Sequence, residues 1–230
     1  MTSDIDGVLR VKRTKAQAKE SYDKMSRFYD YFAGGFEQKY SNLALKRLAI
    51  LEGETVLEIG FGTGRCLKQL AETVGKTGRV YGIDISSGML AVSRRRLAKA
   101  GLGDRVELSC DDATKMLYAD NLFDAVFASF VLELFDVPEI SQVLGEAKRI
   151  LKPRGRIGAV SMAKAEKSMP LLKLYEWLHQ QFPQYIDCRP IYVEQSLREA
   201  GFAIESQERI SIWGLPVDII IGVKPISSGR

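Results

Sequence analysis

Apolar positions along this chain fall into two alternating rhythms. Short runs at Val56, Leu57 and Ile59, at Val80–Ile83, Val106–Cys110, Phe123–Ala128 and Arg156–Ser161 read as buried strands covered on both faces. Between them apolar residues return at helical spacing. Leu67, Leu70, Ala71 and Val74 precede Gly75, and a second helix, which a serine of Ser86-Ser87 can cap, runs to about Ala100 and stops at Gly101. A third begins at Asp136 with Pro138 in its first turn, and carries the stripe Ile140, Val143, Leu144, Ala147, Ile150 and Leu151. Leu151 to Gly155 reads as a turn into the fifth strand. The chain ends differently. After a helix at Val193–Ala200 closed by Gly201, two apolar strands, about Phe202–Ile210 and Val217–Val223, flank Gly214-Leu215-Pro216 as a hairpin.

Residues 1–13 read as a loose basic tail ahead of one domain spanning 14–230. From about Thr14 to Phe32 the pattern is helical and then aromatic, with Tyr22, Phe28, Tyr29, Tyr31 and Phe32; Gly34-Gly35 breaks it, and a second helix follows around Phe36–Ile50. Residues 167–188 form an insertion after strand five, where Leu171, Leu174, Tyr175, Leu178 and Phe182 share one helical side. Core packing is favoured there over a substrate-lining lid.

The chemistry concentrates where the first strand meets its helix, at Glu54-Thr-Val-Leu-Glu-Ile-Gly-Phe-Gly-Thr-Gly64. Gly60, Gly62 and Gly64 mark a turn where the backbone bends sharply and admits a ligand closely. Strand, turn and helix make the first half of a nucleotide-binding βαβ unit. The dinucleotide fingerprint asks for glycine where Arg65 stands, which argues against an NAD(P)-linked oxidoreductase. The next strand ends in Asp84, where a carboxylate accepts ribose hydroxyls.

Composition narrows the setting. With 46% hydrophobic and 27% charged residues the 230-residue chain is ordinary globular material. Net charge is +4, much of the excess lying in Arg10, Lys12, Arg13, Lys15 and Lys19, a run read as a solvated arm with weak attraction to an anionic membrane left open. Three scattered cysteines and one histidine argue against a disulfide framework or a zinc site and for a reducing cytoplasm. No metal ligand set is expected, nor a signal peptide or a bilayer-spanning stretch.

The segment V-L-E-I-G-F-G-T-G, with Glu58 before the glycines and Asp84 after them, resembles the class I S-adenosylmethionine-dependent methyltransferases. Tyr22-Asp23 and Tyr29-Asp30 resemble the paired Y-D of small-molecule members, Asp112-Ala113 their G-D-A, and Leu151-Lys-Pro-Arg-Gly155 their L-K-P-G-G. The set looks most like the ubiquinone/menaquinone-biosynthesis C-methyltransferases. The resemblance implies a doubly wound, Rossmann-like α/β sheet of seven strands, mostly parallel with an antiparallel C-terminal hairpin, and S-adenosyl-L-methionine as cofactor. It implies a cofactor site of Tyr22, Glu58, Gly60, Phe61, Gly62, Gly64, Asp84, Ile85, Met89, Asp111, Asp112, Ala113, Ser129 and Phe130. Asp111 occupies the glycine's place, so either aspartate can meet the adenine amino group, and one of them can instead cap a helix. Met89 reads as an adenine contact or a core residue. Tyr22, Tyr29 and His179 are the candidates for work on substrate.

The acceptor is expected to be a small molecule, quinone-like or lipid-soluble. A phospholipid or other amine is the alternative acceptor, and a non-catalytic cofactor-binding module the alternative to an enzyme. Nucleic-acid bases are not expected, because the chain lacks both N/D-P-P-Y/F after strand four and a Pro-Cys nucleophile. Three dispersed cysteines do not supply what arsenite methylation needs.

Overall fold

A computed structural model of the chain describes residues 8–11, 13–26, 36–164, 172, 177, 188–212 and 214–226. Helices α1 (Lys15–Met25) and α2 (Phe36–Leu48) precede β1 (Thr55–Ile59), α3 (Arg65–Thr73), β2 (Arg79–Asp84) and α4 (Ser87–Lys99). Then come β3 (Val106–Cys110), β4 (Phe123–Ser129), α5 (Val137–Ile150) and β5 (Leu151–Met162). Helix α6 (Val193–Glu199), β6 (Ala203–Ile212) and β7 (Leu215–Val223) complete the described elements. The strands form one sheet in the order β3-β2-β1-β4-β5-β7-β6. All pairings out to β5 are parallel, and β7 lies antiparallel between β5 and β6. The seven-stranded doubly wound sheet with its reversed C-terminal hairpin is therefore present. Its strand order turns back between β1 and β4, the point where such sheets open a crevice.

Successive residues of a strand face opposite sides, and here both sides are dry. Val56, Ala125, Phe127 and Val160 pack with α2, α3 and α4, while Leu57, Ile59, Val126 and Ala128 pack with α5 and α6. Two helical layers account for strands that are apolar throughout rather than alternating. Ser86 sits at the N-cap of α4 and accepts a hydrogen bond from the Met89 amide at 3.1 Å. Asp136 is the N-cap of α5, and its own amide donates to Glu139 at 3.0 Å.

Three local expectations change. Residues 151–155 are not a free turn: Leu151 already pairs with Phe123 and Arg156 with Ala125, so the chain between them bulges out of one long strand. Arg154 takes φ +64° in that bulge, the left-handed conformation that a glycine would hold more easily. The C-terminal hairpin is tighter than the sequence suggests, because Ser211 pairs with Pro216 and Ile212 with Leu215. Finally, the described part of the supposed tail is packed: Val8 is buried, and Arg10 binds Asp136, its Nε lying 2.8 Å from Oδ1.

Arg156 joins α2 to the sheet. Its guanidinium donates to the Leu48 and Ala49 carbonyls at the end of α2, at 2.6 and 2.7 Å, and bidentately to Glu54 at 2.8 and 2.7 Å. Both partners of the ion pair are mostly buried, so removing the cation strands a carboxylate and two carbonyls. Arg156→Ala should lower the unfolding free energy by about 2–3 kcal/mol in urea titrations with the slope preserved. A loss below about 0.5 kcal/mol would make the clamp equivalent to an exposed pair.

Candidate active site

The carboxyl ends of β1 to β4 open onto a cavity walled by Glu58–Thr63, Ile83–Ile85, Asp111–Ala113 and Ser129–Val131. The glycines after β1 divide the work. A Cβ on Gly60 would run into the Val131 side chain, and one on Gly64 would meet Ser93 Oγ at 2.7 Å. A Cβ on Gly62 would meet nothing within 4 Å, because that position faces the open cavity. All three have positive φ. Gly64 does not reach the cavity; it forms the N-cap of α3.

The turn is held from three directions. The Gly62 amide donates to Asp84 Oδ2 at 2.9 Å, Ser93 Oγ donates to the Gly62 carbonyl at 2.8 Å, and Arg96 donates to the Thr63 carbonyl at 2.7 Å. Arg94 and Arg95 are exposed, whereas Arg96, the third arginine in a row, belongs to the site's support. Asp84 also accepts from the Ser86 amide at 2.9 Å through Oδ1. Burial raises its pKa even though these amides pull it down. The carboxylate keeps acceptor capacity for a further donor.

Glu58 is the most unusual group in the wall. It is 4% exposed, and its Oε2 has no hydrogen-bond partner among the described residues. Burial, followed by repulsion from Asp84, pushes its pKa well above the ordinary carboxyl value. A buried carboxylate oxygen left without a donor is costly unless a ligand supplies one. Phe130 adds a second departure from low-energy geometry, with φ +51° at the end of β4 while its amide donates to the Val160 carbonyl at 2.8 Å. Such a conformation is rare for a bulky residue and belongs with sites where function fixes the backbone.

Most of the residues expected from the sequence converge here. Tyr22, Glu58, Gly60, Phe61, Gly62, Asp84, Ile85, Met89, Asp111, Asp112, Ala113, Ser129 and Phe130 all line the cavity. Met89 is both lining and core, at 2% exposure. Asp112 is already engaged: Lys15 Nζ lies 2.5 Å from Oδ2, and the Thr114 amide and hydroxyl each donate to Oδ1 at 2.9 Å. Asp111 is exposed at the cavity's edge. Tyr29 and His179 fall outside the described residues, as does nearly all of the 167–188 insertion.

Two walls extend beyond the expected residues, Tyr22 alone among them having been expected. Lys15, Ala18 and Tyr22, one stripe of α1, face the cavity together with Val11, Arg13 and Thr14. Arg13 lies over the Tyr22 ring at 5.3 Å, so Arg13 and Lys15 turn toward the cavity while Lys19 is exposed. The first turns of α2 contribute Glu37, Gln38 and Ser41, and Ser41 and Ser129 share a hydroxyl–hydroxyl bond of 2.8 Å. The signal in the sequence was the polar spacing 37, 38, 41 on one face of a helix that precedes the first strand.

A family model described as a methyltransferase domain matches residues 56–155. The Ubiquinone/menaquinone biosynthesis C-methyltransferase of Hydrogenovibrio crunogenus is 33% identical over 74% of this chain and 65% of its own length. The Demethylmenaquinone methyltransferase of Halalkalibacterium halodurans is 31% identical over 80% of this chain and 76% of its own length. This chain thus spans less than two thirds of the first relative. Among solved structures, the [4+2]-cyclase SpnF superposes with TM-score 0.74 at 22% identity, covering 96% of this chain and 99% of that one. A SAM-dependent methyltransferase from Aquifex aeolicus gives 0.60 at 24% identity, covering 93% of this chain and all (100%) of that one. Both likenesses concern the fold.

Sheet order, glycine turn and the match of residues 56–155 to a methyltransferase domain together define the class I S-adenosylmethionine-dependent methyltransferase fold. The chain belongs to the family of the Demethylmenaquinone methyltransferase, which it covers to 76% at 31% identity. The residues present fit the cofactor. The unpartnered Glu58 oxygen suits an ammonium, the spare acceptor capacity of Asp84 suits a diol, and the bare face of Gly62 leaves the backbone approachable.

Contrasting glycine substitutions check this geometry. Gly62→Ala should cost about 1–2 kcal/mol of stability from its positive φ and abolish calorimetric binding of S-adenosylhomocysteine. Gly60→Ala should destabilise more strongly, because Val131 must move. Normal binding by folded Gly62→Ala would make that turn purely structural.

Proposed function

We propose that this protein transfers a methyl group from S-adenosylmethionine to a small, lipid-soluble, quinone-like acceptor at carbon. The observation that carries the reading is the cavity at the strand ends, with a buried Glu58 oxygen unpartnered among the described residues and an open Gly62 face, in a chain whose relatives are named Ubiquinone/menaquinone biosynthesis C-methyltransferase and Demethylmenaquinone methyltransferase. The cofactor supplies a methyl carbon already activated by its sulfonium. What remains for the protein is to hold the acceptor in line and keep water away.

In this reading Glu58 accepts from the cofactor's ammonium and Asp84 from its ribose hydroxyls. The adenine lies near Asp111, Asp112 and Ala113. Tyr22 covers the methionine end, its ring fixed by Arg13. The apolar side chains of Val11, Val131, Leu134 and Phe135 give one wall of the same cavity a surface suited to a flat ring, and Glu37, Gln38 and Ser41 give the other a polar one. A carbon acceptor activated by a ring hydroxyl must lose that proton, and Tyr29 and His179 are the side chains proposed for contact with it.

Incubation with methyl-labelled cofactor and separated extracts tests the acceptor class. Label should enter the lipid-soluble fraction and a demethylated quinone in particular, whereas label confined to aqueous or macromolecular material would refute it. A second measurement concerns Glu58. Ionised Glu58 favours a cationic ligand, so cofactor affinity should fall as pH drops through its raised pKa, and Glu58→Gln should flatten that dependence. An identical pH profile in Glu58→Gln would remove the residue from the cofactor site.

A further inference from the structure

We propose that residues 10–11 and 13–26 are the gate through which cofactor and spent product exchange, and that buried Arg189 is the positioning residue that sets the gate's closed state. The inference rests on the cavity being the cofactor site. Val11, Arg13, Thr14, Lys15, Ala18 and Tyr22 form its outer wall, so this segment stands between the cavity and solvent.

The segment is held by polar contacts more than by apolar burial. Helix α1 contains no buried residue, in contrast to α3, α4 and α5. Arg10 binds Asp136, and Lys15 Nζ reaches Asp112 at 2.5 Å and Glu139 at 2.8 Å, all with partly exposed side chains. At the far end Asp23 accepts from Ser86 Oγ at 2.6 Å and the Gly88 amide at 2.7 Å. There α1 passes so close that a Cβ on Gly88 would lie 2.9 Å from Asp23 Cα. Partly exposed ion pairs are individually weak and screened by salt. An element with little apolar burial opens at low free energy, which is what a gate requires.

Arg189 makes the closed position specific. It is fully buried, and burial brings its pKa down to about 10. Its Nη1 donates to the Leu9 carbonyl at 2.6 Å and its Nη2 to the Phe135 carbonyl. Leu9 leads directly into the gate and Phe135 lines the cavity, so one planar cation spaces the outer wall against the loop after β4. An apolar residue of similar volume would fill the same room at lower desolvation cost. What it could not do is fix two backbone carbonyls from segments 126 residues apart in sequence, the separation of the adjoining Arg10–Asp136 pair.

The test compares full-length wild type with Arg189→Met, Arg189→Lys and the double variant Arg10→Gln/Lys15→Gln. Its readouts are the dissociation rate of S-adenosylhomocysteine and tryptic cleavage after Arg10, Arg13 and Lys15. In wild type, S-adenosylhomocysteine should suppress cleavage and added salt should speed its release. Arg189→Met should remain folded, release the ligand at least tenfold faster and lose that protection; Arg189→Lys, able to reach one carbonyl, should fall between. The double variant should release faster and lose the salt dependence. If Arg189→Met does not fold, Arg189→Lys decides. Unchanged release in all folded variants and unchanged cleavage in the Arg189 variants, with only a lowered melting temperature, would overturn the gate and leave Arg189 a packing residue. Failure of wild type to bind S-adenosylhomocysteine at all would instead count against the cavity as the cofactor site.

Discussion

The bond from the Gly62 amide to Asp84, at 2.9 Å, ties the turn after β1 to the tip of β2, and the geometry of the cavity depends on it. One carboxylate thereby fixes a loop that carries no side chain at its exposed point, and through the Ser86 amide it also fixes the start of α4. Ser93 and Arg96 on α4 then return to the same loop at Gly62 and Thr63. Loop, strand tip and helix thus form a closed ring of contacts. Such preorganisation suits a reaction whose chemical difficulty is carried by the cofactor and whose protein contribution is placement.

The electrostatics of the wall follow from the same ring. Holding Asp84 in a dry place beside Glu58 puts two carboxyls close together with few cations among the wall residues around them, and the burial of each disfavours its charge. An ammonium at Glu58 would relieve that repulsion and satisfy the oxygen that has no partner. Phe130, just past the end of the neighbouring strand β4, takes its positive φ in the same cavity wall.

What could be read in the chain was local. Strand limits at Val106–Cys110, the caps at Ser86 and Asp136, and the glycine turn all depend on periodicity and on residue types within a few positions, and the structure has them. The misreadings were long-range. The basic run near the N-terminus reads as solvated until Asp136 and Asp112 are placed against it, 126 and 97 residues away in sequence. Arg189 carried no signal at all, since a lone arginine after an insertion is ordinarily a surface residue. Leu151–Gly155 looked like a turn because its composition is that of a turn; sheet pairing on both flanks drew it into a bulged strand. Arg96 was lost in a run of three arginines whose different faces only the helix separates.

A crystal structure of the protein soaked with S-adenosylhomocysteine tests the account most directly. The account predicts the ligand's ammonium within hydrogen-bond distance of Glu58, its ribose hydroxyls on Asp84, and its chain lying against Gly62 beneath α1. A ligand bound elsewhere, or one that leaves the Glu58 oxygen still without a donor, would contradict it.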